Sequence, residues 1–292
     1  MGGVGGHVGA PHDAMSLTSS PRRATAVPLA GLVIVGVLAL TALLAPVLPL
    51  GSPTDISKDL ALGAPTAAEP FGRDDLGRSL FSRVIYAYRV SLGVAVTSAV
   101  LAVLVGGPLG LIAGYAEGVP DQLIMRPLDV LMAFPAVLLA IALMSVFGTG
   151  ATLLSIALAI VYTPVMARVA RAAVLATKVE VYVDGARALG ATVPRLVLAH
   201  ILPNAATPML VQASVLMAIG ILIEAALSFL GVGVRPPTPS LGLMLADGRG
   251  FMVQAPWMVV FPGLAVMLAV LGFNMLADGL RDWLDPQHAA AR

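Results

Sequence analysis

A long stretch without charge is the feature that most constrains how this chain can fold. No Asp, Glu, Lys or Arg occurs from residue 130 to residue 167. A single helix over this stretch, at about 1.5 Å per residue, would be about 57 Å long, nearly twice the hydrocarbon thickness of a bilayer. The stretch therefore predicts two membrane-spanning helices, with the Gly-Thr-Gly sequence at 148–150 as the turn between them.

Four further apolar runs are long enough to cross a bilayer, which needs about 20 residues of helix. They cover residues 27–49, 90–116, 208–230 and 256–277. The composition agrees, because 58% of the residues are hydrophobic and 11% are charged, against about 25% charged in soluble domains. The sequence thus predicts an all-α, polytopic membrane helical bundle with six transmembrane helices.

Both ends of the chain are predicted to face the cytoplasm. Arg22 and Arg23 directly precede the first span, and basic residues beside a span mark its cytoplasmic side. Six spans then return the C-terminus to the same side. Residues 1–26, rich in Gly, Ser, Pro and His, are expected to form a disordered cytoplasmic tail, and residues 281–292 a second cytoplasmic tail.

The composition excludes several classes of function. The chain has no cysteine, so it holds no disulfide, thiol nucleophile or cysteine-ligated metal. A net charge of +1 argues against nucleic acid as a partner. The lysines are Lys58 and Lys178, and neither ends a GxxxxGK[ST] loop, so the chain has no ATP site of that type. No catalytic residue, metal site or cofactor is predicted for this chain.

Residues 50–89 are predicted to form an extracytoplasmic loop that carries an interfacial helix. Apolar side chains recur there at helical spacing among charged ones, at Leu76, Leu80, Val84 and Ile85. The paired carboxylates Asp74 and Asp75 do not predict a metal or acid–base site, because no other group converges on them in the sequence.

A polar stretch over residues 178–204 separates the fourth and fifth spans, and its glycine, threonine and proline residues are spaced as start and stop signals of two short helices. Gly190 is placed to end the first helix, because glycine adopts the left-handed conformation without a Cβ penalty. Thr192 can cap the second helix, with Pro194 in its first turn, and Pro203 is expected to end it. A rigid helix–turn–helix outside the lipid suits docking to a partner.

This stretch resembles the EAA loop of ABC-importer permeases, the cytoplasmic segment that sits in a groove on the ATPase subunit. Asp184 stands at the Glu position of that pattern, Gly185 and Ala186 stand at its two Ala positions, and Gly190 stands at its Gly. Gly185 departs from the pattern at a cost of about 1 kcal/mol of helix propensity, and His200 takes an isoleucine position. The ATPase-coupling residues that the resemblance implies are Asp184, Gly185, Ala186, Arg187, Ala188, Leu189, Gly190, Leu202 and Pro203.

Three other segments resemble the C-type permeases of dipeptide and oligopeptide importers. They are PFGRDDLGRSLFSRV from Pro70, LSFLGVGVRPPTPSLG from Leu227 and FNMLADGLRDWLDP from Phe273. With them the resemblance covers about residues 70–286. It implies the type I ABC-importer permease fold, with the permease core at residues 90–280 and the coupling loop at 178–204.

The resemblance also implies an activity and a set of partners. The activity is ATP-driven import of peptides by alternating access. The partners are a second permease subunit, one or two ATPase subunits at the coupling loop, and an extracytoplasmic peptide-binding protein, with ATP and Mg bound by the ATPase subunits. Similar permeases serve nickel, so an importer of nickel or another small solute is the alternative within the family.

Glu224 is the carboxylate that lies well inside an apolar span, which by default marks a functional position. It is expected, together with the flexible Met217, to line the translocation pathway. The other interpretation of Glu224 is a polar contact between helices. An ion-coupled secondary transporter using Glu224 would predict intramembrane charge pairs or internal repeats, and the sequence shows neither. A membrane-embedded enzyme would need a constellation of catalytic side chains that the spans do not contain.

Overall fold

The computed structural model describes residues 21–284, and within this range the regular elements are helices. The α-helices are α1 (Pro21–Leu44), α2 (Leu80–Ala116), α3 (Gly118–Met132), α4 (Ala136–Phe147), α5 (Ala151–Thr177), α6 (Val181–Ala188), α7 (Val193–Arg195), α8 (Leu202–Phe229), α9 (Leu241–Gly248) and α10 (Trp257–Leu284). Two 3₁₀ turns, Lys58–Leu60 and Arg249–Phe251, and a π-helical turn, Leu196–Ile201, complete the set.

Four helical segments in the described range are long and apolar enough to cross a membrane. They are α2, α5, the continuous segment Val193–Phe229 that ends with α8, and Trp257–Trp283 within α10. The pair α3 and α4 makes a fifth only if the two count as one bent span. An all-helical membrane bundle is therefore confirmed, while a sixth span and the cytoplasmic position of both termini stay predictions.

The charge-free stretch 130–167 is divided differently from the prediction. The turn at 148–150 is confirmed, with Gly148 and Gly150 at φ of 98° and 135°, values that glycine tolerates. The first half is not one straight span, because Pro135 lacks the N–H that would continue α3. Helices α3 and α4 meet there at 92°, and α3 begins at Gly118, between two of the predicted spans.

The predicted interfacial helix is not a separate element. Residues 80–89 are the first part of α2, whose N-terminus is capped by Ser79 with its hydroxyl 3.5 Å from the backbone nitrogen of Ser82. The sequence placed the start of the span at residue 90 because Arg83 and Arg89 are charged. In the structure Arg83 is buried and its charge is met by Asp74, 3.5 Å from its Nε.

The first helix also differs in its bounds from the predicted span 27–49. It begins at Pro21, so residues 21–26 are helical and not tail, since no glycine or proline follows at 22–27 to stop the helix. It ends at Leu44, because Pro46 disfavours the helical conformation of the residue before it. The predicted tail at 1–20 and the end of the second tail, 285–292, lie outside the described residues, and 281–284 belong to α10.

The segment between α8 and α10 is not simply a loop. It contains α9, which is capped by Ser240 and packs against α8 and α10. Leu241 and Met244 of α9 are buried in the same apolar cluster as side chains of α1, α2 and α10. A second apolar cluster joins α2, α4, α5 and α8, and Met217 lies in contact with both clusters.

The most extensive helix packing in the described range is between α2 and α5, and three glycines allow their backbones to approach closely. A Cβ built on Gly106 would lie 2.5 Å from the carbonyl oxygen of Thr163, and one on Gly110 would lie 2.1 Å from that of Ala167. Gly114, one further turn along, would meet the carbonyl oxygen of Arg171 at 2.9 Å. Small residues spaced by four allow the backbones of membrane helices to approach in this way.

We expect Gly110→Ala to destabilise the protein by about 1–3 kcal/mol, because the added methyl group forces α2 away from α5. The matched control is Gly93→Ala, since a Cβ at Gly93 of the same helix meets nothing within 4 Å. The melting temperature in detergent measures both effects. Equal melting temperatures for the two variants would contradict the close packing of α2 on α5.

Candidate functional site

The coupling loop is built around α6, and its end is fixed by a glycine. Gly190 has φ of 82°, and its N–H donates to the carbonyl of Arg187 at 3.0 Å. The N–H of Ala191 donates to the carbonyl of Ala186 at 3.1 Å, which completes a Schellman motif. The predicted helix end at Gly190 is therefore observed. The helix itself begins at Val181, three residues before Asp184.

One side of α6 is anchored and the other is exposed. Val183 is fully buried, and Asn204 at the start of α8 donates a hydrogen bond of 2.9 Å to the hydroxyl of Tyr182. On the other side Leu189 is 91% exposed and Val181 is 86% exposed. The loop thus exposes apolar side chains beside the charged pair Asp184–Arg187.

The second helix of the loop does not end where the sequence predicts. Helix α7 begins after Thr192 with Pro194 in its first turn, although the Thr192 side chain makes no capping hydrogen bond. The chain then passes through the π-helical turn Leu196–Ile201 into α8, with Pro203 in the first turn of α8. Proline is tolerated there because the first helical turn needs no N–H partner, so Pro203 starts a helix and does not stop one.

The ends of α2 and α5 meet beside α6. Lys178 caps α5, forms an ion pair with Glu117 and donates a hydrogen bond of 3.1 Å to the carbonyl of Gly114. A cavity of about 400 Å³ separates this pair from Asp184 and Arg187 on α6. Burial lowers the pKa of the Lys178 ammonium, and the nearby charge of Arg187 acts in the same direction.

Glu224 lies at the other end of α8 and is fully buried. One carboxylate oxygen accepts a hydrogen bond of 2.6 Å from the hydroxyl of Ser91 on α2. The other accepts from the hydroxyls of Ser228 at 2.8 Å and Ser240 at 2.7 Å. The four residues thus join α2, α8 and the start of α9. Only Ser228 could be guessed from sequence, since it follows Glu224 by one helical turn.

A charged cluster at the start of α2 was not predicted from the sequence. Asp74 accepts hydrogen bonds from the backbone N–H groups of Leu76 and Arg78, and from Nε of Arg78 at 2.6 Å. Arg83 and Arg78 also lie 3.8 and 4.0 Å from Asp247 on α9. Asp74 and Arg78 are four residues apart but lie in the turn before α2 and not on a helix, so no spacing rule pointed to the pair.

The charged cluster shows no arrangement for binding a metal. Burial is the main cause that raises the pKa of the Asp247 carboxyl, and the charge of Arg83 opposes it. Within residues 21–284 no group of three or more His, Asp or Glu side chains is placed to hold a metal ion. The cluster is therefore a contact between the loop, α2 and α9.

Known proteins similar to this chain are transport permeases. The dipeptide transport system permease protein DppC of Alkalihalophilus pseudofirmus is 43% identical over 257 residues, which are 88% of this chain and 84% of that protein. The di/tripeptide transport system permease protein DppC of Pseudomonas aeruginosa is 40% identical, over 89% of this chain and 88% of that one. The glutathione transport system permease protein GsiD of Pectobacterium atrosepticum is 44% identical over 76% of this chain and 74% of its own length.

The fold has a counterpart among solved structures. The crystal structure of an amino acid ABC transporter matches with a TM-score of 0.56 at 17% identity, over 70% of this chain and 95% of the solved chain. The family model described as "Binding-protein-dependent transport system inner membrane component" matches residues 106–288. The chain therefore belongs to the family of binding-protein-dependent transport system inner membrane components, which are multi-pass proteins of the cytoplasmic membrane.

Proposed function

We propose that this chain is a permease subunit of an ATP-driven importer that moves di- and oligopeptides across the cytoplasmic membrane by alternating access. The observation that carries the proposal is the 43% identity, over 88% of the chain, with a permease named for dipeptide transport. Other relatives of similar identity are named for di/tripeptide and glutathione transport. These names favour peptides over the alternative of nickel or another small solute.

The partners proposed are those of a binding-protein-dependent importer. A second permease subunit completes the pathway, one or two ATPase subunits dock on α6, and an extracytoplasmic protein delivers the peptide. The lysines of this chain lie outside any GxxxxGK[ST] loop, so ATP and Mg bind to the ATPase subunits. The exposed Leu189 and Val181 supply the apolar part of the docking surface on α6.

The anchoring of α6 explains how ATPase movement reaches the membrane helices. Val183 is buried beneath α6, and Tyr182 is held by Asn204 at the start of α8. A displacement of α6 is therefore passed to α8. A partner that binds one of two conformations more tightly shifts the population toward it, and ATP-driven closure of the ATPase subunits supplies that bias here.

The pathway role of Glu224 and Met217 stays a prediction. Both carboxylate oxygens of Glu224 are occupied by serine hydroxyls, an arrangement that favours its other interpretation, a polar contact between helices. Met217 is half-buried between the two apolar clusters. An ion-coupled transporter using Glu224 gains no support, because no ion pair of Glu224 is found among the described residues.

A cysteine placed directly after α6 should reveal the docking of the ATPase subunit. The chain has no native cysteine, so Leu189→Cys gives a single reactive site. In membranes that contain the co-expressed ATPase subunits, we expect labelling from the cytosolic side and a cross-link to an ATPase subunit that changes when ATP is added. The control is Val253→Cys, equally exposed in the segment between α9 and α10, which should be labelled from outside and give no such cross-link. Labelling of Leu189→Cys from outside, or a failure to cross-link to any ATPase subunit, would overturn the proposed function.

Substitutions of Glu224 should separate a structural role from a pathway role. We expect Glu224→Ala to lower the free energy of unfolding by about 1–3 kcal/mol or more, because it leaves buried serine hydroxyls without an acceptor. Glu224→Gln keeps one oxygen acceptor and should cost less. Ser214→Ala is the control, since the buried hydroxyl of Ser214 donates within its own helix to the carbonyl of Leu210. Melting temperatures measure these effects, and a pathway role predicts instead that Glu224→Gln abolishes peptide uptake at an unchanged melting temperature.

A further inference from the structure

Three cations near the end of α5 face three anions on α3 and on the corner before it. We name these six residues the ionic row. Arg168 pairs with Asp129 at 2.5 Å, Arg171 donates to both carboxylate oxygens of Asp121 at 2.6 Å, and Lys178 pairs with Glu117. The order of the pairs is antiparallel along the two helices, and the three pairs together connect α5 to α3 and to the corner at Glu117.

Glu117, the anion of the last pair of the row, has an unusual backbone conformation. Glu117, between α2 and α3, has φ of 50° and ψ of −175°. Glycine adopts this conformation readily, and any other residue adopts it only where its surroundings impose it. Lys178 imposes this conformation, because it pairs with the Glu117 carboxylate and also donates a hydrogen bond to the carbonyl of Gly114. The corner between α2 and α3 is thus held from the end of α5.

The Lys178–Glu117 pair lies next to α6. Lys178 caps α5 and precedes the first residue of α6, Val181, by three positions. The Lys178–Glu117 pair and the Asp184–Arg187 pair line the same cavity of about 400 Å³, so α6 and the corner border one space. On the far side α3 leads into α4, whose Ala140 and Met144 are buried in the second apolar cluster.

We propose that the ionic row carries the movement of α6 to α3 and α4, as a second route beside the direct contact of α6 with α8. On this view Lys178 and Glu117 are positioning residues for coupling. They touch neither ATP nor peptide, and they act by making α3 follow the end of α5. The inference rests on the proposed function, because it assigns a route to the movement that the ATPase subunits impose.

The test uses the complete importer in proteoliposomes, with its partner permease, ATPase subunits and binding protein. The measured quantity is peptide transported per ATP hydrolysed, for wild type, Lys178→Met and Glu117→Gln. We expect both variants to lower this ratio by about five-fold or more, while ATP hydrolysis continues, because removing a coupling contact separates the two activities. A loss of folding alone would lower both activities together and leave the ratio unchanged.

Two further variants make the test specific to the pair. The exchange variant Glu117→Lys with Lys178→Glu restores the opposite charges and should recover most of the ratio. Arg126→Gln is the matched control, because Arg126 also lies on α3 but hydrogen-bonds to Gln122 of its own helix, at 3.0 Å. It should retain the wild-type ratio.

The outcomes separate this inference from the function on which it rests. If wild type shows ATP-dependent uptake and Lys178→Met keeps its ratio, the ionic row is not a coupling route, while the proposed function stands. A reduced ratio that the charge exchange fails to restore would also overturn the inference. If wild type neither retains the ATPase subunits nor transports peptide, the proposed function itself fails.

Discussion

The close contact between α2 and α5 is the constraint on which the rest of this structure depends. Gly106, Gly110 and Gly114 allow the two backbones to approach closely. Gly114 lies nearest to the charged residues at the end of α5. Its carbonyl accepts from Lys178, and the ionic row begins there. Without this approach the corner at Glu117 could not reach the end of α5. The glycines therefore position the membrane-embedded helices and the coupling loop at the same time.

The parts of the fold that could be predicted are those set by neighbouring residues. The turn at 148–150 and the end of α6 at Gly190 both follow from glycine in the left-handed region, and both are observed. Counting charge-free stretches identified membrane-crossing helices for the same local reason. It went wrong at α2, because a charge count cannot show that Asp74 neutralises Arg83 and allows it to lie buried in a helix. It also missed the bend at Pro135, because hydropathy does not report direction.

In the candidate site, too, contacts between residues close in sequence could be predicted and contacts between distant residues could not. The predicted coupling residues all lie within the single stretch 178–204, so their pattern is recognisable in the sequence alone. The partners of Glu224 are not, since Ser91 lies 133 positions away and Ser240 follows an intervening loop. The acidic partners of Arg168 and Arg171 are also distant in sequence, 39 and 50 positions away on α3. The prediction that Pro203 ends a helix was wrong for a related reason. A proline can end or begin a helix according to the residues before it, and Pro203 lies in the first turn of α8.

The buried contact of Glu224 and the exposed ion pair Arg168–Asp129 differ in the free energy that is needed to break them. Ion pairs with exposed members, such as Arg168–Asp129, contribute about 0–1 kcal/mol each. A buried acceptor that loses its donors, as Glu224 would, costs about 1–3 kcal/mol for each unsatisfied group. The buried contact of Glu224 near α9 therefore costs more to break than the exposed Arg168–Asp129 pair.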